Sequence, residues 1–227
     1  MLSLRNLGQP GPSDPARWNV ENMLRVEPKD KDSPKATTIV RIYDEIGFWG
    51  INPSDIVDMI EGIEGDRIEL RVNSPGGNVF DGIAIMSALM ALNKPVDAYV
   101  DGIAASIASV FLMTSKNITM PQNTRLMIHD PFAMVGGNAV ELRKQADLLD
   151  MVKTDIVATY RRNANISSEK ISDMMSQETF ISARDAVDMG FAHNFVAIEE
   201  QDNGSDNPTN QKVDNVAELA ALEAFTY

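Results

Sequence analysis

Between Thr37 and about residue 198 the chain alternates strand-like and helix-like segments, and this alternation limits the fold more than any other feature of the sequence. "TTIVRIYDEIG" reads as strand, "PSDIVDMIEGIEG" as helix, "RIELRVN" as strand, "NVFDGIAIMSALMAL" as helix and "PVDAYVDG" as strand. The stretch "DGIAASIASVFLMTS" then reads as helix, and "NITMP" and "TRLMIHD" as short strands. Parallel strands need crossover connections, usually helices, so the alternation predicts an α/β domain with a largely parallel sheet. Beyond it, "NAVELRKQADLLDMVKTDIVATYRR" sets Leu142, Ala146, Leu149, Val152, Ile156 and Tyr160 on one stripe, predicting an amphipathic helix of about six or seven turns. That is longer than a domain of this size needs for its own core. A further helix follows "NISSEK", and another has the capping pattern Ser182-x-x-Asp185 and ends at Gly190.

Two arms flank this domain. Residues 1–36 are polar and proline-punctuated and suit an extended arm. Residues 199–227 carry seven acids against one lysine, and their first half is expected to be disordered. Val216, Leu219, Ala220 and Leu222 fall at helical spacing, which suits either a short docking helix or a solvated one. The 227 residues are enough for one full domain with a sizeable core. A net charge of −13 opposes binding to a phosphate backbone, so nucleic acid is not an expected partner. The absence of cysteine excludes disulfides, thiolate metal sites and a cysteine nucleophile. The most apolar run, Gly102 to Met113, is far shorter than the roughly 20 residues of a membrane helix, and the amino terminus lacks a signal-like apolar core. A cytoplasmic protein with no membrane association is expected.

Two turns suggest chemistry. Asn73-Ser74-Pro75-Gly76-Gly77 joins a strand to a helix, and its glycines allow a sharp turn and the close approach of another chain. Asp101-Gly102-Ile103-Ala104-Ala105-Ser106 would put a serine on the first turn of a helix, beside N–H groups that lack intrahelical partners. A hydroxyl nucleophile needs a base, and the chain has two histidines, His129 in "LMIHDP" and His193 in "GFAHNF". Asp130 adjoins His129, but neighbours in an extended chain point to opposite faces, so an orienting carboxylate is expected from elsewhere. Taken singly, each feature also has a purely structural explanation: a packing serine, a tight turn, a satisfied histidine.

With "SPGG", "GIAAS" and "MIHDP" in this order, the chain resembles the proteolytic subunits of Clp proteases (ClpP), serine peptidases of the ClpP/crotonase-like fold. Its likeness is closest to the ClpP-like head-maturation (prohead) proteases of phages and prophages, through "EIGFWGINPSD", "RVNSPGGNVFDGIAI", "GGNAVELRKQADLLD" and "ETFISARDAVDMGFA". The resemblance covers about residues 37–197. It implies repeated strand-strand-helix units, a largely parallel sheet flanked by helices, and a protruding long handle helix over about residues 131–163. It implies Ser106 as nucleophile, His129 as base, and Glu178 in "QETFISA" as the third residue, where ClpP proper usually has aspartate; Asp173 is the reserve acid. Backbone N–H groups of Gly77 and Ile107 would form the oxyanion hole. Extended substrate would pair with backbone just after Gly77, at Asn78 and Val79, and with the segment containing Phe132. His193 stands where relatives often carry an acid, and a structural role is expected for it. Ser109 reads as a packing serine.

The chemistry so implied needs no metal and no cofactor. The partners implied are polypeptide substrates, further copies of the chain in a ring or stacked rings of six or seven subunits, and phage capsid or scaffold proteins. A housekeeping-type ClpP peptidase subunit and an inactive ClpP-like assembly component are the alternatives. Crotonase-type acyl-CoA chemistry and a Ser-Lys peptidase using Lys116 or Lys170 are further rivals, against which the intact His129 motif argues.

Overall fold

The structure, a computed structural model, describes residues 26–28, 37–47, 50, 53–63 and 65–198. The expectations for most of the first arm and for the acidic tail lie outside these residues. The strands are β1 (Val26–Pro28), β2 (Thr37–Ile42), β3 (Arg67–Ser74), β4 (Val96–Ala105), β5 (Asn117–Pro121), β6 (Arg125–Ile128), β7 (Thr179–Ser182) and β8 (Asn194–Val196). The α-helices are α1 (Pro53–Glu61), α2 (Val79–Ala91), α3 (Ile107–Phe111), α4 (Ala139–Tyr160), α5 (Ser168–Ser176) and α6 (Ala183–Asp188).

Strands β2, β3, β4 and β5 run parallel in that spatial order, with β8 parallel beside β5 and β1 antiparallel on the β2 edge. Strand β4 is long enough to serve two neighbours. Its start pairs with β5 and its end, Ile103 to Ala105, pairs with β6, which in turn carries β7 antiparallel. The result is the mixed α/β architecture expected, a mostly parallel sheet flanked by helices.

Burial alternates along β2, with Val40 and Ile42 wholly buried between half-exposed neighbours. Val100 of β4, Ile118 of β5 and Ile85 and Leu89 of α2 belong to the same core. Polar side chains of β3 and β4 that lie between the buried positions pair across the two strands. Arg67 bonds Asp97 across β3 and β4 at 2.8 Å, and Arg71 bonds Asp101 in the same way while lying over the Tyr99 ring.

The run "DGIAASIASVFLMTS" differs from its predicted form. Residues 101–105 continue β4, and only Ile107–Phe111 form an α-helix, followed by one 3₁₀ turn over Leu112–Thr114. Small apolar residues fit a buried strand as well as a helix, and pairing with β6 decides between them. The ladder with β3 shifts between Val72 and Ser74, where β4 holds two extra residues. Asn73 fills this bulge, its Oδ1 accepting from the Ile103 N–H at 3.2 Å. A side chain on Gly102 would lie 2.5 Å from that same oxygen. Strands β7 and β8 were not apparent from the sequence, being too short to show a period.

Helix α4 begins at a capping box in which Asn138 accepts from Val140 and Glu141 while Glu141 accepts from the Asn138 N–H. At about 1.5 Å per residue its 22 residues span about 33 Å. Of the predicted stripe, Val152, Ile156 and Tyr160 are buried, while Leu142 is 44% exposed. The helix is therefore rooted at its C-terminal half and projects at its N-terminal half.

Helix α2 lies close enough to the start of α3 that a methyl on Gly82 would overlap the Ile107 side chain. Gly82→Ala should thus lose about 1–3 kcal/mol from overpacking, outweighing its gain in helix propensity, as read by denaturant unfolding.

Candidate active site

The site begins at Gly76 and Gly77, which follow the end of β3. Gly76 has φ +90 and Gly77 φ +150, both in the region that favours glycine. The turn is held from within: Ser74 Oγ donates to the Asp44 carbonyl at 2.6 Å and accepts from the Gly76 N–H at 3.1 Å. It is held from outside by Ile46, whose N–H donates to Gly76 O at 2.7 Å and whose carbonyl accepts from the Asn78 N–H at 2.9 Å.

The close approach predicted for these glycines is made by the chain itself. A methyl on Gly77 would overlap the Ile46 backbone. One on Gly76 would stand 2.6 Å from Ala105 O, 2.7 Å from Ser106 Cβ and 3.2 Å from Ile107 N. The two turns singled out in the sequence therefore touch. Among the described residues, no acceptor is bonded to the Gly77 or Ile107 N–H.

Ser106 is the hinge between β4 and α3 rather than a residue of the helix. Its φ of 54 and ψ of −131 are costly for any residue with a Cβ, and its side chain makes no capping bond. The hydroxyl instead meets the imidazole of His129, Oγ to Nε2, at 2.7 Å. His129 directly follows β6, whose Leu126 and Met127 pair with Ala104 and Ala105. The Ser106 N–H donates to Met127 O at 2.9 Å, so the two strands are stitched together beside the Ser106–His129 contact.

Asp130 is engaged elsewhere, as strand alternation predicts. Its Oδ2 accepts from Lys153 Nζ of α4 at 2.9 Å and from Ser176 Oγ of α5 at 3.1 Å. Glu178 lies immediately before Thr179, which pairs with Ile128 in the β6–β7 ladder, so it stands across from His129 where both chains leave the ladder. Its side chain is exposed and its φ is 50. It occupies the position just beyond the Gln177 cap of α5, where helices most often place glycine. Asp173 lines the groove between α4 and α5 together with Lys153.

Among the remaining residues singled out, Asn78 is the N-cap of α2, its Oδ1 accepting from Phe80 and Asp81. Val79 opens that helix. The Asn78 N–H is bonded to Ile46 and its carbonyl to Gly82, so its backbone is already committed. Phe132 is 62% exposed and packs edge-on to the His129 ring at 5.9 Å. His193 is structural: its Nδ1 accepts from Ile118 N–H at 3.0 Å and its own N–H donates to Ile118 O at 2.8 Å.

Ser109 is more than packing. Its Oγ donates to the Ser106 carbonyl at 2.6 Å and lies 2.7 Å from Tyr160 Oη. Nothing in the sequence marks this role, because a serine one turn on looks the same whether it packs or bonds.

Backbone strain gives a test independent of catalysis. Ser106→Gly should be more stable than Ser106→Ala by about 1–2 kcal/mol, since both lack the hydroxyl and only glycine relieves the positive φ. Glu178→Gly should likewise gain about 1 kcal/mol over wild type. Denaturant unfolding of the three variants checks both.

A comparison with protein families matches residues 58–199 to the family described as Clp protease. Curated relatives agree. The ATP-dependent Clp protease proteolytic subunit of Deinococcus radiodurans is 29% identical over 143 residues, covering 62% of this chain and 70% of the relative. ATP-dependent Clp protease proteolytic subunit 3 of Streptomyces coelicolor is 33% identical over 132 residues, covering 57% of this chain and 60% of the relative. A third, the ATP-dependent Clp protease proteolytic subunit of Pleurastrum terricola, is 33% identical over 134 residues, covering 58% of this chain and 67% of its own length. The family match spans both glycines of the β3 turn, Ser106, His129 and Glu178, and by it the chain belongs to the Clp protease family.

Proposed function

We propose that this protein is a serine endopeptidase acting on polypeptides, with Ser106 as nucleophile, His129 as general base and Glu178 as the carboxylate that orients the imidazole. The observation that carries this reading is the 2.7 Å contact of Ser106 Oγ with His129 Nε2 at a serine held in a strained backbone conformation. Backbone strain persists only where the surroundings impose it, and such residues cluster at reacting centres. The same reasoning applies to Glu178, a carboxylate kept where glycine would be more stable.

In the proposed reaction His129 Nε2 takes the proton of Ser106 Oγ as the oxygen attacks the substrate carbonyl, and the imidazolium then gives it to the leaving amine. Glu178 holds the Nδ1–H. The N–H groups of Gly77 and Ile107 converge on the developing oxyanion and stabilise it where charge appears. Water, deprotonated by the same imidazole, releases the acyl group from Ser106. Neither Lys116 nor Lys170 has a hydrogen bond from its side chain to Ser106, which favours the histidine-based reaction over a Ser-Lys one.

The projecting half of α4, with Val140 59% and Leu142 44% exposed, together with Met134 at 96%, is an apolar surface suited to cover by neighbouring copies in a ring or stacked rings. For biological setting, the phrases "EIGFWGINPSD" and "ETF" favour a phage head-maturation protease, with capsid or scaffold proteins as substrates. The curated relatives favour a cellular proteolytic subunit working with an ATPase. Cleavage of purified scaffold protein without ATP supports the first, and degradation of a folded protein only with an ATPase and ATP supports the second.

Treatment with a serine-reactive fluorophosphonate, followed by mass spectrometry, should place one adduct on Ser106; an adduct elsewhere, or none in the assembled protein, rejects the assignment. Ser106→Ala and His129→Ala should each lower peptide hydrolysis by at least about 10³-fold, and Glu178→Gln by about 10² to 10⁴-fold.

A further inference from the structure

Beneath the candidate site runs a buried chain of hydroxyls that the proposed reaction does not use. Ser109 is fully buried and Tyr160 is 1% exposed. The Ser106 carbonyl accepts twice from one residue, from Ser109 N–H at 2.9 Å and from Ser109 Oγ at 2.6 Å. Ser109 has a single hydroxyl proton, which goes to that carbonyl with Met127 O as a second, longer acceptor at 3.3 Å, so the Tyr160 hydroxyl, 2.7 Å away, is the donor to Ser109 Oγ. Burial pushes the Tyr160 phenol up, so it remains protonated and able to donate. Its ring is fixed edge-on against Phe191 at 5.6 Å.

The carbonyl so held belongs to the same planar peptide unit as the Ile107 N–H. In a trans peptide these groups point in opposite directions, so fixing one fixes the other. We propose that Tyr160 and Ser109 are positioning residues for the oxyanion hole, acting in series on the Ser106–Ile107 peptide so that the Ile107 N–H stays aimed at the reacting carbonyl. The proposal rests on the reading of Ser106 as nucleophile. Hydrogen bonds in a chain also polarise one another, so a donor to the carbonyl makes the N–H on the same unit a better donor. Ser106 needs such restraint more than most residues, since its backbone sits in a strained well from which the peptide would otherwise relax.

The test uses the full-length protein in its native assembly and two conservative variants. Tyr160→Phe removes one hydroxyl while keeping the ring, and Ser109→Ala removes one buried oxygen. Deleting an oxyanion donor costs about 10² to 10³-fold, so misaiming one should lower kcat by about 3- to 10-fold in Tyr160→Phe and about 10- to 30-fold in Ser109→Ala. KM should stay within about twofold of wild type, because the oxyanion forms only after binding. Affinity for a peptide aldehyde, whose adduct places an oxygen in the hole, should fall in parallel with kcat. The double variant should be no slower than Ser109→Ala alone, because the two act in series.

Unchanged kcat in both variants, losses that multiply in the double variant, or weaker substrate binding with aldehyde affinity intact would each overturn the proposal. If wild type takes no fluorophosphonate on Ser106, the reading of the site fails, and this inference with it. If wild type is labelled and active while the variants match it, this inference alone fails.

Discussion

Contact between the turn after β3 and the end of β4 organises everything else in the site. Gly76 brings backbone against Ala105, Ser106 and Ile107 while Gly77 lies against the Ile46 backbone, and a Cβ at either position would collide with those neighbours. With the turn seated, Ser74 anchors it to Asp44, Ile46 bridges across it, and Asn78 starts α2 at the angle that packs Gly82 on Ile107. The positive φ at Ser106 is the other side of the same constraint. Strand β4 ends against the glycine turn, and the chain can enter α3 only through a conformation that costs energy. Core packing around Ile107, Ala108 and Phe111 holds it there.

Electrostatics then separates roles among neighbouring acids. Asp130 is adjacent to His129 yet serves structure, pairing with Lys153 and Ser176 to tie the end of β6 to α4 and α5. Glu178 is free of ion pairs among the described residues and stands at a helix end in a conformation that disfavours it. The polar side of the sheet shows the same division. Arg71 is pushed above its ordinary range by its bonds to Asp101, and these charges stabilise cross-strand register rather than chemistry.

Much of this was legible from residues alone, for physical reasons that differ between elements. Gly76 and Gly77 stand out because only glycine suits their backbone, and Ser182 with Asp185 because capping favours those side chains at that spacing. The order of the Ser106 and His129 motifs was readable as resemblance. By contrast, the extension of β4 to Ala105 depends on pairing with β6, whose Met127 lies opposite Ala105, and local pattern cannot supply it. Strand β7 is legible only once β6 is placed beside it. Ser109 and Tyr160 are 51 positions apart, and no periodicity links them.

Strand β6 joins parallel and antiparallel pairing in one four-residue segment, registered by three pairs to β4 and four to β7. Side chains alternate across a strand, so sliding β6 by one residue would turn its buried side chains, and His129 after them, to the opposite faces. Register at this seam therefore decides which way His129 faces. Paired on both flanks, β6 is clamped from two sides, so the 2.7 Å contact between Ser106 and His129 is as secure as the pairing that holds this one short strand.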